Sequence, residues 1–385
     1  MDMKKLLLGT LSAALTLSAC IAVRAQENRF VVFSHGKHGY IDREGKLVIP
    51  ISLEGTYVLH FSEGLVSYSE RVKPEPTKLP YTDQSGKLRI HPQEKWGFID
   101  TSGAVVINAQ FDAVGNFSEG LAAVAFDTEK TRHDCFDCGL DQHWGFIDKT
   151  AKTVVQPQYS AVSSFSEGLA AVRNEEGKWG YIDTKGQLVI PFMFQSASPF
   201  SDGLAAAALN QKAGYIDKKS NFVIKLQFAV ASSFSEGLAA VRRGGKTDFM
   251  ISRPAGGKWA FISKDGKNVI VLPAEAEHAG DFIDGLAAIQ LGKSCGYVDK
   301  SGALVIPAVF SSCDDFSEGL ADVYSDGKWQ FIDRKGHVVL HVPYEQVRPF
   351  KDGLASVDEG TAGPDQKFGY IDKHGKQIWK PQPPL

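Results

Sequence analysis

The densest run of chemistry-bearing side chains is His133-Asp-Cys135-Phe-Asp-Cys138, followed closely by His143. Two imidazoles and two thiols are enough to hold a tetrahedral zinc ion, although this spacing matches no standard zinc finger. In an exported chain a Cys-x-x-Cys pair more often oxidises to a small disulfide. A Cys135–Cys138 staple is therefore the favoured reading, with a metal site at His133, Cys135, Cys138 and His143, a redox pair, or inert thiols as alternatives. Zinc is the one cofactor these residues could take; otherwise none is expected. Cys295 and Cys313, within one stretch of the chain, could form a second disulfide or remain buried thiols. Carboxylates are abundant, and a glycosidase would need two of them facing one cleft. They recur at fixed spacing along the chain, however, and a residue repeated with the architecture serves that architecture, whereas an active site occupies one singular place. Gly244-Gly-Lys246-Thr247 imitates the end of a phosphate loop, but Ala240 stands where its first glycine belongs. The zincin and serine-hydrolase signatures H-E-x-x-H and G-x-S-x-G do not occur. No catalytic residue is assigned and the chain is read as non-enzymatic.

The elements that must position these residues come from an internal repeat. From residue 38 onward the chain reiterates an aromatic-Gly opening, an I-D-x-x-G turn, a V-I pair and a closing F-[ST]-[ED]-G-L-A-A-V. Openings stand at Trp96-Gly97, Trp144-Gly145 and Trp179-Gly180, with degenerate versions at His38, Ala213, Trp259, Cys295, Trp329 and Phe368. Closing phenylalanines are Phe61, Phe117, Phe165, Phe200, Phe234, Phe282, Phe316 and Phe350, which makes eight full copies and a truncated ninth. Apolar residues alternate at period two, the signature of strands. Gly168 to Arg173, Lys178 to Asp183 and Gln187 to Pro191 read as three strands joined by tight turns. Each copy is thus expected to be a three-stranded antiparallel meander plus a return segment. Such a unit cannot bury its apolar face alone, so copies must stack. The expected fold is an all-β tandem array of about nine meanders over residues 30–380, an open superhelix or solenoid, with a closed propeller-like ring as the alternative.

The repeated residues have structural roles to fill. Asp100, Asp148 and Asp183, with their equivalents, begin turns in which a carboxylate can accept the N–H two residues on. Gly120, Gly168, Gly237 and Gly319 supply positive φ at a corner. Gly97, Gly145 and Gly180, after Trp96, Trp144 and Trp179, allow a neighbouring backbone or ring to come close. The motifs K-W-G-[YF]-I-D-x-x-G-x-x-V-I-x-P-x-[FY] and F-S-E-G-L-A-A-V resemble the bacterial WG (KWG) repeat family, over about residues 30 to 380. The resemblance implies a β-repeat protein without assigned catalysis, often exported, with an interaction role. Ala213, Cys295, Ala260, Gln330 and Ser263 depart from the pattern and bring the geometry of their copies into question.

The rest of the chain sets boundaries. Lys4, Lys5 and the apolar run from Leu6 to Leu17 read as an export signal within residues 1–25. It is cut either before Cys20, which would then be lipidated as in Leu17-Ser18-Ala19-Cys20, or after Ala25. The protein is expected in the periplasm or as an outer-membrane lipoprotein, alternatively secreted, monomeric, and membrane-attached only through an N-terminal lipid. Lys and Arg number 42 against 45 Asp and Glu, a net charge of −3, which excludes a nucleic-acid-binding stripe. Four connectors are longer than the rest, after Leu65, Leu121, Leu238 and Leu354, and long loops on a rigid scaffold carry function. The first of them reads as a degenerate hairpin around Tyr81-Thr-Asp83-Gln-Ser-Gly86. A scaffold that binds a protein or cell-wall glycan is the expected function; an envelope metal-binding or hydrolytic protein centred on residues 128–143 is the alternative.

Overall fold

The computed structural model describes residues 29–34, 37–53, 60–72, 81–82, 88–89, 93–127, 142–245, 256–360 and 367–382. Its contacts divide the chain into residues 1–117 and 118–385. The described residues are all β, without a helix. Residues 30–53 and 65–111 each form a three-stranded sheet; the sheets of residues 113–159, 161–194, 196–228, 230–271, 276–310, 312–341 and 346–382 are each four-stranded. Tyr81–Thr82 and Leu88–Arg89 pair as a small separate hairpin, as the turn chemistry anticipated.

The sheet of residues 161–194 shows how one copy folds. Its strands are Ala161–Val162, Leu169–Arg173, Trp179–Asp183 and Leu188–Phe194, in that spatial order and antiparallel throughout. The last three are the meander the sequence pattern describes. The first is the segment read as a return: Ala161 and Val162 pair with Arg173 and Val172 of the following strand. A single residue, Ser160, separates this strand from the previous sheet's last strand, Thr153–Tyr159. The expectation of an open solenoid of three-stranded meanders is therefore corrected. Seven units are four-stranded antiparallel sheets, the blade from which β-propellers are built, and the fold is of propeller type. A two-residue strand carries too little alternation to register as a separate element in the sequence.

The glycine after tryptophan has a specific cause. Along the third and fourth strands Trp179 pairs with Phe194 and Tyr181 with Ile190, so Pro191, Phe192 and Met193 bulge opposite Gly180 alone. A Cβ on Gly180 would lie 2.6 Å from the Ile190 carbonyl oxygen, and one on Gly145 2.3 Å from that of Val155. The bulge brings backbone where a side chain would be, and Pro191 is tolerated there because a bulge needs no ladder N–H. Where the glycine is replaced, the bulge disappears. Ala260 pairs with Val271 and Phe261 with Ile270 in unbroken register, and Gln330 and Phe331 pair likewise with His341 and Leu340. In those two blades the fourth strand shortens to Asn268–Val271 and Val338–His341.

Stacking of copies is as expected, because the cores lie between successive blades. Tyr181, Ile190 and Phe194 of one blade bury with Phe200, Ala205, Ala207 and Ile216 of the next. The Tyr181 ring meets Phe200 edge-on with centroids 5.0 Å apart, and Tyr297 meets Phe316 in the same way at 4.9 Å. Edge-to-face pairs of this kind add about 1 kcal/mol beyond their buried area.

Candidate functional site

The repeated acids are occupied by the architecture. Asp183 Oδ1 accepts the N–H groups of Lys185 and Gln187 at 2.9 and 2.8 Å, and Asp100 and Asp148 do the same in their own turns. Hydrogen bonds from the Ser102 and Thr150 side chains hold Asp100 and Asp148 below the usual carboxylate range. Gly120, Gly168, Gly237 and Gly319 have φ of 81°, 86°, 85° and 85°, as expected, and the acid before each is left-handed too: Glu167 lies at φ 54°. Glu167-Gly168 is thus a two-residue hairpin turn closing Ser166 on Leu169.

These turns are linked from blade to blade. The Glu119 carboxylate accepts the N–H of Gly168 at 2.9 Å, Glu167 that of Gly203 at 3.0 Å and Asp202 that of Gly237 at 2.8 Å. Glu236, Asp284 and Glu318 continue the series onto Gly285, Gly319 and Gly353. Lys218 caps Glu167, donating to its carbonyl at 2.7 Å with its ammonium 3.2 Å from the carboxylate. The serine that precedes most of these acids adds a second line: Ser166 Oγ donates to the Phe200 carbonyl and Ser201 Oγ to that of Phe234, both at 2.7 Å.

Of the residues that suggested a metal centre, His133, Cys135 and Cys138 lie outside the described residues, as does Cys20. His143 is the second residue of the third strand Gln142–Asp148, and its Nε2 stands 3.3 Å from Glu175 Oε1. Among the described residues no group of three or more His, Cys, Asp or Glu is arranged to hold a metal ion. Cys295 and Cys313 form a disulfide, with Cα atoms 6.0 Å apart. Cys295 occupies the tryptophan position of the third strand of blade 276–310, and Cys313 lies in the first strand of blade 312–341, so the bond joins neighbouring blades.

Beside that disulfide lies a charge cluster that the sequence reading did not single out. Asp322 stands where the repeat has the second alanine of G-L-A-A-V; its side chain is fully buried and neither carboxylate oxygen has a hydrogen-bond partner. It faces the Asp314 carboxyl, and burial together with that neighbour pushes Asp322 up to about 8. Burial raises Asp281 and Asp315, the latter further through the charges of Asp281 and Asp314, while His278 opposes both shifts. The signal was there to be read as departures from register: two acids at positions that are Ser163 and Ala171 in another copy.

The connectors occupy the opposite end of their blades. Leu169 pairs with Asp183, so the Glu-Gly corner and the I-D-x-x-G turn share one end, and the link between second and third strands is at the other. Each long connector is such a link. It leaves and returns at paired residues: Asp127 with Gln142, Arg243 with Lys258, Glu359 with Lys367 and, in residues 1–117, Val72 with Gln93.

A family model described as WG containing repeat matches residues 39–69, 96–127, 144–179, 179–212, 214–246, 296–329 and 331–360. The chain belongs to this family. The blade geometry gives the WG repeat its physical content, since tryptophan pairs across the bulge that its glycine makes possible. Solved structures similar to this WG repeat chain include BamB from Moraxella catarrhalis, at 9% identity and TM-score 0.40, covering 79% of this chain and 95% of that one. Dihydro-heme d1 dehydrogenase NirN in complex with DHE is similar at 13% identity and TM-score 0.45, covering 93% and 73%. The WD40 β-propeller domain of Doa1 is similar at 12% identity and TM-score 0.31, covering 62% and 86%. No curated protein matches the chain.

Proposed function

We propose that this WG repeat protein is a non-catalytic scaffold, exported from the cytoplasm, that binds a protein partner through the long connectors between second and third strands. The observation that carries this reading is the separation of roles within each blade. At one end the repeated acids, serines and glycines are consumed in turn and inter-blade hydrogen bonds. At the other end the chain is free to vary, because each insertion leaves and returns at residues paired in the sheet. Rigid scaffolds that present variable loops in this way are the usual platform for recognition. Export is supported by the signal-like N-terminus and by the Cys295–Cys313 bond, since disulfides persist in oxidising compartments. Neither catalysis nor a bound cofactor is part of the proposal.

The test is capture from envelope extracts with the intact protein and with variants in which residues 128–141 or 246–255 are replaced by the short Asn174–Gly177 connector. One protein partner should co-purify stoichiometrically with the parent and be lost from at least one variant, while thermal unfolding stays unchanged. Equal capture by every variant, or no stoichiometric partner at all, would reject the proposal.

A further inference from the structure

We infer that the buried Asp322 keeps a proton at neutral pH and, facing Asp314, forms an alkali-sensitive latch at the junction between blades 276–310 and 312–341. The geometry comes from the repeat itself. From blade 161–194 onward the residue two before the closing phenylalanine lies beside the middle of the second strand; in blade 161–194 the pair is Ser163 and Ala171, joined by N–H to carbonyl and N–H to hydroxyl bonds of 2.8 and 2.9 Å. In blade 346–382 it is Arg348 and Ser356, where the guanidinium also lies 3.4 Å from Asp358. Blade 312–341 places Asp314 and Asp322 there, with the Asp314 N–H on the Asp322 carbonyl at 3.1 Å. The two side chains are acids, and two ionised carboxylates cannot hydrogen-bond each other.

The surroundings supply no other relief. Tyr297, from the third strand of the preceding blade, donates its hydroxyl to the Asp314 carbonyl at 2.7 Å and not to Asp322. Asp315 adds another negative charge from the same segment, and Asp281 and His278 of the preceding blade act on Asp315. No Lys or Arg is among the groups that act on Asp322 or Asp315, and no metal-holding group occurs among the described residues. A fully buried carboxylate with no partner is stabilised by taking up a proton. Once protonated, Asp322 becomes a donor to Asp314, and both lose their conflict. The disulfide lies immediately before Asp314 and ties the same two blades, so loss of the proton strains a junction that remains tethered.

The sign follows from linkage. Asp322 holds its proton in the folded chain but loses it near pH 4 when unfolded. Stability from this group is complete below about pH 4 and is lost as pH rises towards about 8, above which the loss levels off. The test compares denaturation of the full chain between pH 5 and 9 for the parent, Asp322→Ala, which restores the repeat residue, and Asp322→Asn, which keeps the shape should the alanine variant fold poorly. Relative to either variant, the parent's folding equilibrium should fall by up to about tenfold per pH unit below pH 8 and run parallel above it. Infrared difference spectra should show a protonated-carboxyl carbonyl band at pH 7 in the parent that either substitution removes. Parallel pH profiles across the whole range, or the same band in parent and variants, would overturn the inference.

Discussion

Blades 161–194 and 312–341 share the register of their first three strands and treat its side chains in opposite ways. In the first, Trp179 fills the junction, Ser163 and Ala171 satisfy each other, and the repeat acids Glu167 and Asp183 each accept a backbone N–H. In the second, the tryptophan position of the preceding blade is Cys295, a disulfide replaces the ring, and the fully buried Asp322 faces the exposed Asp314. The backbone ladder carries the fold in both, which frees the side chains at this junction to specialise. Eight copies of one solution leave little room for a singular site, and the molecule concentrates its departures where two neighbouring blades meet.

The comparison breaks most strongly at the disulfide. Replacing Cys295 and Cys313 together by alanine removes a cross-link over an 18-residue separation, which should cost roughly 3 kcal/mol by restoring loop freedom to the unfolded chain. Denaturant unfolding of the oxidised parent and the double variant measures it. A loss below about 1 kcal/mol would mean that packing alone holds this junction as it does the regular ones.

The next largest effect separates blades with the bulge from blades without it. Gly180→Ala drives a methyl to 2.6 Å from the Ile190 carbonyl oxygen and should cost about 2 to 3 kcal/mol, as overpacking against backbone does. Ala260→Gly meets no bulge at its own position, because Ala260 and Phe261 pair with Val271 and Ile270 without a shift between them. It should cost about 1 kcal/mol or less, from backbone freedom in the unfolded chain. Equal losses at the two positions would remove the assigned role of the WG glycine.

Much of this was legible in the residues. Repeat length, strand alternation, the carboxylate caps and the positive φ of the corner glycines follow from local chemistry, which a single copy contains in full. The first strand was not legible, because Ala161–Val162 becomes a strand only through pairing with Val172 and Arg173 of the next copy. Nor was the left-handed conformation of Glu167: an acid is a poor choice for positive φ, and it is held there by a turn whose carboxylate binds Gly203 in another blade. The Asp314–Asp322 pair was missed for a similar reason. Each acid is unremarkable in its own motif, and only the register of the sheet brings the two together. Ala260 and Gln330 were flagged as departures, and their consequence, a lost bulge, needed the fourth strand to be seen.

The smallest effect tests whether the serine line is a chain of equal rungs. Ser166→Ala leaves the Phe200 carbonyl without the hydroxyl it accepts at 2.7 Å and should cost about 1 kcal/mol, the usual value for one hydrogen bond to a part-buried carbonyl. The series runs through Ser62, Ser118, Ser166, Ser201, Ser235 and Ser317, and Ile283 interrupts it where the specialised junction begins. Ile283 is 36% exposed, so Ile283→Ser gives up much of the isoleucine's burial and offers a hydroxyl to the Phe316 carbonyl, and Ile283→Ala gives up the same burial without the hydroxyl. The serine variant should therefore be more stable than the alanine variant by about 0.5 kcal/mol, read as a higher thermal midpoint with the disulfide intact. If the serine gains nothing over the alanine, the junction between residues 276–310 and 312–341 is spaced differently from its neighbours, and the departure extends beyond side chains to the backbone.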